Sequence, residues 1–407
     1  FDDLLSNKDI VEIFQDTVDI KNIKKYGKEA EYAAMVFNGF LNPQIEEPQI
    51  AIDIEAIITN DTRISTDIPL EAGTNCDMLN FASYFQSDGR PYPATTSCFM
   101  IRDISLNIIL PESNGLYEPS TEDWTSTEIG QVTSEVTSAM NWYITKNPNA
   151  SLTFTYHLYP QIPTGYEPIN QPSNQNCLWI NDIMVNYFNL SSTSDCLSNV
   201  RLFDHYTRQL DNTHWGFTIF VADSSNDPDG RFPDDSFAYA YLGGPFVVMT
   251  YDNGNLGITN MDTVASHETG HIFQTLDQYW SLDPTYPWCS LTAGCTQTSG
   301  YLIIENQNCN QPIISCLLDE DSIMRSTITS FQNNLIDIYA RRMFGWRDQD
   351  NDNIIDPVDS TFNSASDYDN DGIVDYWDEC PNLPGSGTNF GCPTTALTSC
   401  GTINTPG

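Results

Sequence analysis

The chain has few basic residues. Among 407 residues there are 16 Lys and Arg against 55 Asp and Glu, a formal net charge of −39. Five of the six lysines, Lys8, Lys21, Lys24, Lys25 and Lys28, lie near the N-terminus, and Lys146 is the sixth. A surface this acidic repels nucleic acid, whose binders need basic patches. It suits salt-rich water and divalent cations. No apolar run is long enough to span a bilayer, so no membrane span is expected in this chain. The first residue is Phe and no charged-then-apolar leader follows, so the expectation is either a removed signal or a processed fragment. No C-x-x-C occurs, which argues against a zinc site built from cysteine.

What is present fits a folded, extracellular chain. Hydrophobic residues make up 40% of the sequence, including 20 Phe, 20 Tyr and 8 Trp. That is enough apolar material for real cores. Eleven cysteines indicate an oxidising compartment. Pairing neighbours in sequence is the simplest assignment: Cys76 with Cys98, Cys177 with Cys196, Cys289 with Cys295, Cys309 with Cys316 and Cys380 with Cys392. Spacing alone does not fix connectivity. Cys400 is left over, and the expectation is that the natural chain continues into a further domain or surface anchor.

Four segments follow from the patterning. Residues 1–103 begin with helical periodicity (Leu4, Leu5, Ile10, Val11, Phe14, Val18) and continue into an alternating strand, "QIAIDIEAIIT". This region reads as a pro-segment or a packing domain. Residues 104–346 alternate strands and helices, which predicts an α/β layer. "SLNIILP", "SLTFTYHLY", "GFTIFVAD" and "AYAYLGGPFVVMTYDN" read as strands, with Gly243 and Gly244 marking a bulge or close approach. A long helix over "STEDWTSTEIGQVTSEVTSAMNWYITKN" is expected to be capped by Ser120 or Thr121. Residues 347–395 are acidic and repetitive, and residues 396–407 read as a linker.

The stretch "HETGHIFQTLDQYW" carries the chemistry. His267 and His271 are four apart and share one helix face, so both imidazoles can reach one ion. Glu268 can lie beside a water on that ion and take its proton. Two histidines on an ordinary amphipathic helix are the bland alternative. Asp277 lies ten positions past His267 and is a competent carboxylate ligand. If the helix continues past Gln274, Asp277 points elsewhere, and Glu305 or Glu320 becomes the third ligand. His157, His205 and His214 read as structural or surface residues, with His157 the reserve ligand. Tyr279 is either an oxyanion donor or a packing ring beside Trp280.

"HETGHIFQTLD", together with "SIM" at 322–324, resembles the zinc site of the metzincin metalloproteases. The resemblance spans roughly residues 104–345. It implies zinc on His267, His271 and Asp277, Glu268 as general base, and Met324 as an apolar floor beneath the metal. It also implies an edge strand near 238–249 that pairs with an extended peptide or protein substrate. The closing helix is expected over "SFQNNLIDIYARRMFGW", with Phe331, Leu335 and Ile338 or Tyr339 on one face. The family glycine that ends the metal helix in a left-handed turn is Gln274 here. A non-glycine residue there is strained by roughly 1 kcal/mol or more.

In the acidic segment, Asp348, Asp350, Asp352, Asp356 and Asp359 occupy loop positions 1, 3, 5, 9 and 12. Asp367, Asp369, Asp371, Asp375 and Asp378 repeat the spacing. Asn353 and Gly372 fall at position 6, where a calcium loop turns sharply, and Ile354 and Ile373 at position 7 would offer carbonyls. Oxygen-only ligands at this spacing select calcium over zinc. The repeats resemble thrombospondin type 3 modules, which implies a calcium-loaded stalk. The expected function is a secreted or cell-surface zinc endopeptidase. The alternative is a structural or adhesive surface protein on an inactive protease fold.

Overall fold

The computed structural model describes residues 96–279, 289, 295, 297–309, 316–325, 327–349, 352–359, 369–371 and 384–385. The helical and strand expectations over 1–95, most of the second acidic copy and the terminal linker lie outside the described residues. The architecture is mixed α/β, and its centre is a five-stranded mixed sheet of order β2-β1-β3-β5-β4. The strands are β1 (Asp103–Ser113), β2 (Thr153–Thr164), β3 (Trp215–Ala222), β4 (Ala238–Ala240) and β5 (Phe246–Thr250). β1, β2, β3 and β5 run parallel, and β4 closes the edge antiparallel to β5.

β1 and β3 are almost continuously buried, as central strands covered on both faces must be. Ile104, Leu106, Ile108 and Leu110 of β1 point to one face, where helices α1 (Ser126–Lys146) and α4 (Met261–Ile272) pack. Ile109 points to the other, against α2 (Cys177–Asn186) and α3 (Cys196–Asp211). That second face also buries a polar knot. Asn107 Nδ2 donates to Asp204 at 3.0 Å, and Thr218 Oγ1 donates to the same oxygen at 2.6 Å. Arg208 lies beside it, fully buried. A short ladder, β6 (Thr298–Ser299) with β7 (Ile304–Glu305), and two short helices, α5 (Thr327–Asn333) and α6 (Ile338–Met343), complete the described elements.

Several sequence expectations change. α1 is capped by Thr125, not by Ser120 or Thr121. Thr125 and Glu128 form a reciprocal capping box, with Glu128 Oε2 accepting the Thr125 N–H at 2.7 Å. Residues 120–124 instead fold back over the end of β1, where the Trp124 indole donates to Pro111 O at 2.9 Å. "AYAYLGGPFVVMTYDN" is two antiparallel strands, because Gly243 and Gly244 take positive φ and turn the chain ahead of Pro245. Only 238–240 is therefore at the edge, and 246–250 is internal. The single closing helix is two, parted at Asn334 with φ +64°. Tyr339 packs in the core, whereas Leu335 and Ile338 face solvent.

The Cys177–Cys196 disulfide joins the N-termini of α2 and α3, as neighbour pairing predicts. The next four cysteines do not pair with their neighbours. The bonds are Cys289–Cys309 and Cys295–Cys316, not Cys289–Cys295 and Cys309–Cys316. The two bridges interleave, so the loop after Asp277 is cross-tied. Cys98 is buried, and Cys76, Cys380 and Cys392 lie outside the described residues.

The first acidic loop is joined to the domain. Ile355 is buried within the sheet's main core cluster, and Val358 packs against it. The Trp346 indole donates to Met100 O at 2.6 Å, tying the run into the loop to the segment ahead of β1.

Candidate metal centre

α4 carries His267, Glu268 and His271 with every residue from Thr263 to Ile272 buried. The helix ends within two residues of His271. Gln274 takes φ +71°, its N–H reaches His271 O at 3.0 Å, and Thr275 N–H reaches Gly270 O at 3.0 Å. This is the paired 5→2 and 6→1 bonding of a left-handed helix stop. Gln274 thus adopts the turn that glycine makes without strain. The strain is offset by packing: Gly243 N–H donates to His271 O at 2.9 Å, and a Cβ on Gly243 would stand 2.3 Å from Gln274 Nε2.

The reversal brings Asp277 back over the helix face. His267 Nε2 lies 3.0 Å from Asp277 Oδ1, and His271 Nε2 lies 3.3 Å from the same oxygen. Among the described residues, these three form the one cluster of His, Cys, Asp or Glu whose ligand atoms all lie within 4.8 Å of one another. Each imidazole is oriented from behind. His267 Nδ1 meets Ile323 O at 2.9 Å and His271 Nδ1 meets Thr275 O at 2.7 Å. A ring nitrogen facing a carbonyl carries the proton, which leaves Nε2 of a neutral ring as the ligand atom. Asn306 Nδ2 donates to Asp277 O at 2.8 Å and fixes the backbone there.

Two imidazole nitrogens and one carboxylate oxygen are the donor set of a catalytic zinc site. Ligand atoms about 2.0–2.1 Å from a tetrahedral zinc stand about 3.3 Å apart, which is the spacing seen here. The residues therefore fit zinc. Burial pulls both imidazoles down, but Asp277 and Glu268 outweigh it, so His267 rises and His271 is pushed up to about 9. Burial pushes Asp277 up, and the two imidazoles overcome it to hold the carboxyl well below its ordinary range. Burial pushes the Glu268 carboxyl up, and the two imidazoles hold it back.

Met324 is fully buried beneath the helix. A Cβ on Gly270 would stand 2.5 Å from its sulfur, so glycine is required where helix and turn touch. Met324 O also accepts the Gln278 N–H at 2.9 Å. The turn at 323–324 therefore braces His267 on one side and the Asp277 segment on the other. Tyr279 is 40% exposed, with its ring stacked near the His267 imidazole at 6.3 Å.

Glu305 and Glu320 stand outside the cluster, which closes the alternative for the third ligand. His157 is engaged elsewhere, 2.7 Å from Asp211. Sequence reasoning missed Gly270, Asn306 and the carbonyls of Ile323 and Thr275. A helical glycine beside a histidine was a readable signal, but main-chain acceptors leave none.

In the first acidic loop, Asp348 accepts the N–H groups of Asp352 (3.2 Å) and Asn353 (2.9 Å), and Asp352 accepts that of Ile354 at 2.7 Å. Asn353 takes φ +71° at the expected turn position. Asp356 is turned inward. It accepts the Gln349 N–H at 2.9 Å and lies 3.7 Å from Arg347, and burial pushes it up to about 7. Asp359 follows at the loop end. In the second copy, Asp369 accepts the Asp371 N–H at 3.2 Å. Asp350, Asp367, Ile373, Asp375 and Asp378 lie outside the described residues.

No protein-family model matches the chain, and no curated protein matches it significantly.

Proposed function

We propose that the chain is a zinc-dependent endopeptidase of metzincin type, acting outside the cell or at its surface. The observation that carries this reading is the convergence of His267 Nε2, His271 Nε2 and Asp277 Oδ1 beside Glu268. His267, His271 and Asp277 would hold the ion. When bound, zinc supplies Lewis-acid polarisation of the scissile carbonyl and lowers the pKa of water.

The protein's own groups do the rest. Glu268, raised by burial, accepts a proton from the attacking water and returns it to the leaving amine. Tyr279, exposed beside His267, would donate to the developing oxyanion. β4 borders the metal helix, because its turn at Gly243 bonds to His271 O. Among the described residues no strand pairs with the outer side of β4, which leaves its backbone to align an extended peptide. The disulfides agree with an extracellular setting. The acidic loops serve as calcium-binding modules on the same reading.

The test is zinc content and casein cleavage in calcium-containing buffer, wild type against Glu268→Gln. One zinc per chain in both, with cleavage only in the wild type, supports the protease. Zinc-free wild-type protein without cleavage overturns it and leaves a structural surface module.

A further inference from the structure

Of the three groups in the candidate metal centre, one is not carried by a helix. His267 and His271 ride on α4, whereas Asp277 follows the left-handed turn at Gln274 and lies in neither helix nor strand. A ligand on such a segment loses conformational freedom when it takes an ion, unless the fold has ordered it beforehand. That ordering converges on the next residue, Gln278, which is fully buried. Its N–H donates to Met324 O at 2.9 Å. Its side-chain Oε1 accepts from Asn308 Nδ2 at 3.2 Å, thirty residues away in sequence. Its main-chain oxygen lies 3.7 Å from Cys289 Sγ.

Cys289 is bonded to Cys309, and Cys309 directly follows Asn308. One end of the disulfide therefore rests on the Gln278 carbonyl, while the neighbour of its other end grips the Gln278 side chain. Both cysteines are buried, with Cys295 in the same cluster. Asn308 is fully buried as well and is anchored a second time. Its Oδ1 accepts from Glu320 N at 2.9 Å, and its Nδ2 also donates to Glu320 O at 3.0 Å. Asn308 thus copies one rung of a β-ladder, and leaving Gln278 would break three hydrogen bonds at once. The segment it holds at Glu320 runs on to Ile323 and Met324, which brace His267 and α4.

We infer that Asn308 and the Cys289–Cys309 disulfide are positioning groups for the metal. Together they clamp Gln278, and through it they hold Asp277 at the spacing from His267 and His271 that a tetrahedral ion requires. The inference rests on the zinc reading of the cluster, and it gives the disulfide a part in metal affinity beyond stabilising the chain. Groups that orient a ligand from behind change metal affinity about 10–100-fold when removed. Since both act through one residue, their losses should be coupled.

The test uses the full chain. Gln278→Met keeps the side chain's length, the main-chain bond to Met324 and the disulfide, and cuts only the link to Asn308. Cys289→Ala with Cys309→Ala removes the bridge. Cys177→Ala with Cys196→Ala is the control, since that bridge joins α2 and α3 on the opposite face of the sheet. Zinc affinity is read by chelator competition, coordination by the visible spectrum of the cobalt(II)-loaded protein, and local order by hydrogen exchange at the Gln278 amide in the zinc-free protein. Gln278→Met and the Cys289 and Cys309 double variant should each bind zinc about 10-fold more weakly or worse. Both should alter the cobalt spectrum and exchange faster at Gln278, and combined they should lose less than the product of the two. The control should melt lower than the wild type with all three readings unmoved. Variants that melt lower yet keep wild-type zinc affinity and cobalt spectrum would reduce the clamp to ordinary stabilisation and overturn the inference alone. A wild type that takes up neither zinc nor cobalt would overturn the zinc reading, and the clamp with it.

Discussion

Replacing Gly270 by alanine tests whether the metal helix and the turn at Met324 are one mechanical unit. In an isolated helix, glycine to alanine gains about 1 kcal/mol. Here the added Cβ would stand 2.5 Å from Met324 Sδ and 3.0 Å from its Cε. The sulfur lies in mid-chain, and its residue is held by the Gln278 N–H. Overpacking of this kind costs about 1–3 kcal/mol. The net expectation is a loss of roughly 1 kcal/mol, or about 2–4 °C in melting temperature for a domain of this size. Displacement of the turn also shifts Ile323 O from His267 Nδ1, so zinc affinity should fall about 10–100-fold. Thermal unfolding and a chelator competition assay measure the two effects. The decisive arm is the double variant Gly270→Ala with Met324→Ala. The Cβ then occupies space the sulfur has left, and the two losses should fall short of additivity by about 0.5–3 kcal/mol. Strict additivity, or a full alanine gain in the single variant, would refute the packing argument.

Other outcomes follow from the same geometry. Glu268→Gln should lower kcat by about 10²–10⁴-fold with zinc retained, seen by peptide cleavage and metal analysis. Tyr279→Phe should lower kcat by about 10²-fold or more and leave KM nearly unchanged if its hydroxyl meets the oxyanion. An equal rise in KM would reassign it to substrate packing. Glu167 is buried and pushed up to about 7, chiefly by burial. Its folded pKa exceeds its unfolded value, so its contribution is full below about pH 4.3 and is lost as pH rises through about 7. Melting in chelator from pH 4 to 8 should therefore be flatter for Glu167→Gln, with the variant gaining on the wild type at the alkaline end.

The sequence was most informative where spacing alone dictates geometry. His267, Glu268 and His271 share a buried helix because positions four apart share a face. Asp277 could be placed only through the resemblance, since its approach depends on Gln274 entering a conformation its residue type disfavours. The break between β4 and β5 was written in Gly243-Gly244-Pro245, yet the apolar run on both sides disguised two strands as one. Neighbour pairing succeeded for Cys177–Cys196, which joins adjacent helix starts. It failed for Cys289 and Cys295, whose partners lie across an interleaved loop that no spacing encodes.

The burial of Ile355 bears on where this protein can be cut. A fragment ending at residue 346 would keep every ligand of the zinc-type cluster but uncover the core residues that Ile355 packs among. Such a fragment should aggregate or refold poorly, whereas one ending beyond Val358 retains that packing. The first acidic loop thus shares the core of the domain below the sheet, so a change in the loop's own order should be felt as a change in that domain's stability.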